Sequence, residues 1–189
     1  MDLKKYIKTT IETKTNILED ENIIDTINKI VEVIAQAYKN NNKVLTAGNG
    51  GSACDAQHIA GELVSRFFKD RAPLNALSLT SNTPLLTSIG NDYSFEDVYA
   101  RQIQGYATKG DVFIALSTSG NSKNIVKAIE EAKKKNVITI GLVGKKECDM
   151  DRICDYLIKI PSEITPIIQE SHIMICHIIC AMVEEKIFG

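Results

Sequence analysis

His58 and Glu62 stand four residues apart in the run GNGGSACDAQHIAGEL, residues 48–63. On a helix that spacing brings both side chains to one face. An imidazole and a carboxylate so placed can pass a proton or begin a metal site. Just ahead of them Gly48, Gly50 and Gly51 close the apolar strand segment KVLTAG and the turn after it, and a glycine-rich turn at a strand's end lets backbone approach an anion. A second polar segment, STSGNS, closes the apolar run DVFIALS and supplies the hydroxyls of Ser117, Thr118, Ser119 and Ser122 ahead of a helical pattern. An N-cap with a turn would use one serine and the glycine. The remaining hydroxyls, the free N–H groups and the positive helix end together suit a phosphate.

The chain has three histidines, and the other two, His172 and His177, lie in QESHIMICHIIC near the C-terminus. Gln169, Glu170 and His172 cluster at the start of that segment, whereas His177 sits among apolar neighbours. A hydrogen-bonded core histidine and a catalytic one are both compatible with this pattern. His172 and Cys176, again four apart, form an alternative soft-metal pair. Gly48, Gly50 and Ala53 also fit a dinucleotide fingerprint. That reading requires an acidic residue closing the second strand, and LNALSLTSN has none. No Gly-Lys-Ser/Thr follows either glycine loop, so a P-loop is excluded.

These groups need elements to hold them. Apolar residues recur at helical spacing over residues 3–15 and about 21–40. From residue 43 the pattern alternates. KVLTAG, LNALSL, DVFIALS, VITIGLVG and YLIKI read as strands. Helices are predicted over residues 52–68, 83–89, 94–107, 122–135 and 166–186. Continuous apolar strands alternating with helices predict an α/β fold: a five-stranded parallel sheet between helical layers. Ligands of such sheets bind at the carboxyl ends of the strands, where both polar loops fall. Two helices before any strand are unusual, and residues 1–40 read as a helical extension to the unit 41–189. Its apolar face either contacts another subunit or covers the core.

At 189 residues the chain is long enough for one substantial core. Its apolar fraction of 44% and charged fraction of 24% are those of an ordinary globular protein. A formal charge of −2 without a basic stripe argues against nucleic-acid binding by charge. Five cysteines without CxxC pairs suit reduced thiols. The first twenty residues lack the apolar stretch of a signal peptide, and no uninterrupted apolar run approaches the roughly 20 residues of a membrane span. The expectation is a soluble, cytoplasmic protein with no membrane partner.

Four segments, GNGGSACDAQHIAGEL, GNDYSFEDVYARQI, GDVFIALSTSGNS and QESHIMICHIIC, together resemble the bacterial phosphoheptose isomerases of the sugar-isomerase (SIS) domain superfamily. The resemblance covers nearly the whole chain. STSGNS alone marks the superfamily; H-x-x-x-E after GNGGS, combined with Q-E-x-H-x-x-x-x-H, is far more specific. It implies the SIS fold, a three-layer sandwich, and conversion of sedoheptulose 7-phosphate to D-glycero-D-manno-heptose 7-phosphate, a first step toward lipopolysaccharide or capsule heptose. It further implies a homotetramer with active sites at subunit interfaces. By motif position it makes Glu62 and His177 the catalytic pair, and His58, Glu62, Gln169 and His177 the ligands of a zinc ion. Sugar-phosphate contacts then fall on Asn49, Gly50, Ser52, Glu62, Arg66, Asn91, Asp92, Ser117, Thr118, Ser119, Ser122 and Gln169. Gln169 and His177 are about 12 Å apart along a helix, so a four-ligand site requires their side chains to lean together. A rival reading comes from related non-enzymatic proteins that associate with the replication initiator and lack the acid and the final histidine. The presence of Glu62 and His177 favours the enzyme. Arabinose 5-phosphate isomerase usually adds paired regulatory domains, for which this chain has no room.

Overall fold

In the computed structural model, which describes residues 2–189, five strands form one parallel sheet in the order β2-β1-β3-β4-β5. They are β1 (Val44–Gly48), β2 (Ala76–Ser78), β3 (Val112–Leu116), β4 (Ile138–Val143) and β5 (Tyr156–Lys159). The α/β three-layer architecture is the one expected. β1 and β3 are buried along their whole length and pair in register from Val44↔Val112 to Gly48↔Leu116. The strand order reverses between these two central strands, so their carboxyl ends flank the crevice where ligands bind in such sheets.

Side chains on β3 alternate between two cores, as a period of two requires. Val112, Ile114 and Leu116 join the core beneath α2 (Glu21–Lys39), α3 (Gly51–Val64) and α7 (Thr165–Phe188). Phe113 and Ala115 face the core beneath α4 (Thr83–Asp92), α5 (Ala100–Tyr106) and α6 (Lys123–Lys134). The two leading helices differ in kind. α2 sends Ile27, Ile30, Val31 and Ile34 into the first core. Ahead of it, α1 (Leu3–Glu19) buries Thr13 and Ile17 and leaves Leu3, Ile7, Ile11 and Leu18 exposed. Asp20 separates the pair: its N–H meets Ile17 O, and its carboxylate accepts from the N–H groups of Asn22 and Ile23.

Element bounds depart from the sequence expectation in places. Strand pairing covers three residues of LNALSL. The helix expected over residues 94–107 is a 3-10 turn (Phe95–Asp97) followed by α5. Another 3-10 turn, Asp149–Arg152, falls where no element was predicted. α3 stops at Val64 rather than Phe68, for a reason given below. Among the described residues, α7 is the one helix long and apolar enough to cross a bilayer by length and composition. Half of its most apolar window is buried, against α2 and α3, and a helix apolar all round belongs in a core between layers.

Candidate active site

β1 delivers the chain to Asn49, and Gly50 turns it with φ of 56°, a conformation that favours glycine. α3 begins at Gly51, where a Cβ would lie 2.6 Å from the Gln169 amide of α7. The two helices therefore start side by side at the same edge of the sheet and run parallel. His58 and Glu62 share a face of α3, with Nε2 and Oε1 3.0 Å apart. His177 of α7 places its Nε2 3.3 Å from the same His58 nitrogen, and the imidazole rings cross at 67°. Phe67 backs His177, its ring centroid 5.8 Å away.

One ring nitrogen of His58 thus faces both a carboxylate oxygen and a second ring nitrogen. A neutral imidazole nitrogen carries either one hydrogen or one lone pair, so it satisfies both neighbours only by sharing a proton or a cation. One ligand atom from each of His58, Glu62 and His177 lies within 4.8 Å of the others. Around a tetrahedral zinc with bonds of about 2.0–2.1 Å, ligand atoms stand roughly 3.3–3.4 Å apart. The His58–His177 separation of 3.3 Å matches that spacing, and the His58–Glu62 separation of 3.0 Å is slightly shorter. The donor set, two imidazoles and a carboxylate, also fits zinc. Gln169 lies against Gly51, seven positions before His58 on α3, a rise of about 10 Å.

The other histidine goes elsewhere. His172 is fully buried, its Nε2 3.4 Å from Val143 O, and burial pushes its imidazole down to about 4. Cys176 is buried as well, and burial holds its thiol well above the ordinary range. Both belong to the core, and the alternative soft-metal pair has no open face.

The phosphate-loop residues gather at the end of β3. Ser117 Oγ lies 3.0 Å from Ser122 Oγ and accepts from Gly120 N–H, while Ser119 Oγ accepts from Asn121 N–H. Ser122 takes the N-cap position of α6, yet its hydroxyl turns to Ser117 and makes no cap bond. Ile125 N–H bonds to Ser122 O, and among the described residues the N–H groups of Lys123 and Asn124 are left to another acceptor, as an anion site needs. Asn49 is held beside this loop by paired amide bonds with Asn124, 2.9 Å each, and Tyr99 Oη donates to Gly48 O. Ser52 is buried at the start of α3. Asn49, Gly50, Ser52 and residues 117–122 thus converge across the switch point. Asn91 and Asp92 at the end of α4, and Arg66 just after α3, are exposed. Among the described residues, their side-chain hydrogen bonds join neither the trio nor the phosphate loop.

Some neighbours escaped the sequence reading. Lys145 and Lys146, both paired with Glu163, line a cavity of about 230 Å³ shared with Thr118 and Ser119. Asn124 carried no motif, and Tyr99, although within GNDYSFEDVYARQI, was given no role. Asp55, one turn before His58, has its carboxyl raised by burial, with His58 opposing the shift.

Comparison with known proteins places these features. A family model described as SIS domain matches residues 5–144. Phosphoheptose isomerase 2 of Campylobacter jejuni subsp. jejuni serotype O:2 is 56% identical, over 100% of this chain and 96% of its own. The phosphoheptose isomerase of Aneurinibacillus thermoaerophilus is 54% identical, over 98% of this chain and 94% of its own. Among solved structures, phosphoheptose isomerase from Neisseria gonorrhoeae aligns with a TM-score of 0.91 at 32% identity, covering 97% of each chain. One from Francisella tularensis aligns at 0.93 with 29% identity, covering 97% of this chain and 96% of that one.

Proposed function

The chain belongs to the phosphoheptose isomerase family of SIS-domain enzymes, and on that footing we propose that it converts sedoheptulose 7-phosphate to D-glycero-D-manno-heptose 7-phosphate. The observation that carries this reading is the convergence of His58, Glu62 and His177 from two parallel helices whose first turns border a phosphate seat. α3 carries His58 and Glu62 seven and eleven positions after Gly51, roughly 10–16 Å along the helix. Helical side chains lean back toward the N-terminus, which shortens that gap to the length of an open-chain sugar phosphate.

Ketose–aldose exchange moves a proton between adjacent carbons through an enediol. Glu62 is the base that takes the carbon-bound proton. His177 moves protons at the neighbouring oxygen or carbon, and His58 orients the Glu62 carboxylate. Phosphate at the far end of the substrate is held by Ser52, Ser117, Thr118, Ser119, Ser122 and the start of α6, which leaves the reacting carbons facing the trio. His58, Glu62 and His177 would hold a zinc ion, which when bound polarises the carbonyl as a Lewis acid; Gln169, seated against Gly51, would have to lean toward them to add a fourth ligand.

The same reading makes the protein a homotetramer. The apolar stripe of Leu3, Ile7, Ile11 and Leu18 supports it, as does the apolar groove between α1, α2 and α7 lined by Ile24, Ile178 and Met182. Asn91, Asp92 and Arg66 complete the substrate contacts across subunits. The direct test is incubation with sedoheptulose 7-phosphate and detection of the aldose. Tight binding of the sugar phosphate without turnover would instead make the chain a binding module.

A further inference from the structure

Glu184 sits seven residues beyond His177 on α7, with its side chain 1% exposed. Its two oxygens accept four hydrogen bonds: from the N–H groups of Phe67, Phe68 and Lys69 at 2.9, 2.7 and 2.8 Å, and from Arg71 Nε at 3.0 Å. Arg71 is equally enclosed, its side chain 3% exposed. Its Nη2 donates to Glu62 O at 2.9 Å, and its Nη1 donates to Leu63 O, Ser65 O and Ala72 O. The guanidinium thus closes the carbonyl end of α3, and this is why the helix stops at Val64.

A helix end needs partners for its last carbonyls, but water or a glycine turn ordinarily supplies them. A buried ion pair is a poor way to gain stability, because desolvation offsets most of the attraction. What such a pair provides is fixed geometry, since a planar fork and a carboxylate bond in few orientations. Here that geometry is set between the two helices that carry the reactive groups. The clamp touches the carbonyl of Glu62 itself. It also holds the backbone of Phe67, whose ring backs His177.

We propose that Arg71 and Glu184 are positioning residues of the isomerase: by locking the end of α3 and the Phe67 backbone onto α7, they set Glu62 against His177. The inference rests on the isomerase reading above. A mispositioning of about 1 Å costs on the order of 100-fold in rate, and phosphate contacts at the far end of the site are untouched. Glu184→Gln is therefore expected to lower kcat by roughly 10- to 100-fold while KM changes less than about threefold. Arg71→Lys, which keeps the charge and loses the fork, should fall between it and wild type.

A matched control separates positioning from stability. Asp111 is another enclosed carboxylate, bonded to Lys43 Nζ and to the N–H groups of Lys43 and Thr108, at the amino end of β3 and away from the phosphate loops. Asp111→Asn should lower the melting temperature and leave kcat as in wild type. The proposal is overturned if Glu184→Gln retains kcat within about twofold, or if Asp111→Asn loses kcat in the same proportion to its thermal loss. Should Glu184→Gln fail to fold, Arg71→Lys decides by the same criteria. Substrate-free measurements keep the inference distinct from the isomerase reading. If wild type does not turn over the sugar phosphate, that reading fails, while faster amide exchange at residues 67–69 together with a moved His177 ring resonance in Glu184→Gln supports the clamp. An unmoved His177 resonance overturns it.

Discussion

The Nε2 atoms of His58 and His177 face one another at 3.3 Å although the residues are 119 positions apart in the chain. With Glu62 Oε1 3.0 Å from the His58 nitrogen, the expected outcome is zinc bound stoichiometrically in gently purified protein, and markedly less in His58→Ala. Chelation should lower activity and restored zinc should recover it. Full activity in protein shown by elemental analysis to be metal-free would leave the trio as an acid/base cluster alone.

Glu62→Gln keeps the size of the side chain and a bond to His58 but cannot accept a carbon-bound proton. General acid–base groups contribute roughly 100- to 10,000-fold, so kcat should fall by that factor while the sugar phosphate still binds. Calorimetry and turnover measured on one preparation check both halves. Near-normal turnover would remove Glu62 from the chemistry.

Ser119 is exposed at the phosphate loop, with its hydroxyl bonded within the turn to Asn121 N–H. Ser119→Ala should raise KM and weaken inorganic phosphate binding more than it lowers kcat, because a contact remote from the reacting carbons holds ground and transition states alike. An unchanged KM with a collapsed kcat would move Ser119 to the reacting end.

Ile7 and Ile11 are 49% and 58% exposed on one face of α1. Placing glutamate at both positions leaves the single-chain core intact and charges the stripe. Light scattering should show a tetramer for wild type and smaller species for Ile7→Glu/Ile11→Glu. A wild-type monomer at micromolar concentration contradicts the proposed assembly.

Acid stability has a signature from His172. Burial lowers its imidazole from the ordinary 6.5 to about 4. Between those values the unfolded chain takes up a proton that the native state refuses, so stability falls as pH drops from 6.5 toward 4 and is unaffected above. The loss is on the order of 3 kcal/mol by pH 4. His172→Leu removes this slope, and it also removes a buried ring nitrogen, Nδ1, that has no hydrogen-bond partner. Val143 O keeps its bond from Ile160 N–H. Chemical denaturation of both proteins at pH 7 and pH 4.5 measures the difference.

Much of the fold was legible because central parallel strands such as VFIAL are apolar on both faces, and the polar loops that end them have few other uses. The His58–Glu62 pair was legible from helical spacing, as was the phosphate loop from its surplus of hydroxyls. Periodicity could not separate His172 from His177, since both lie among apolar residues of a helix that is covered on more than one side. The Arg71–Glu184 clamp gave no signal at all. Glu184 stands in VEEKIF, which reads as a solvated helix end, and its partners at residues 67–71 lie over a hundred positions away. The end of α3 is not legible for a different reason: Arg71, which bonds its last carbonyls, lies in the following loop and carries no capping signal.

None of His58, Glu62 and His177 belongs to either apolar core; they stand half-open on its margin. Substitutions of these three cost the scaffold little, so the reactive groups can be lost while the fold is kept. A descendant could shed the reaction through two changes, keep the loops at the strand ends, and be retained by selection for what it holds rather than what it converts.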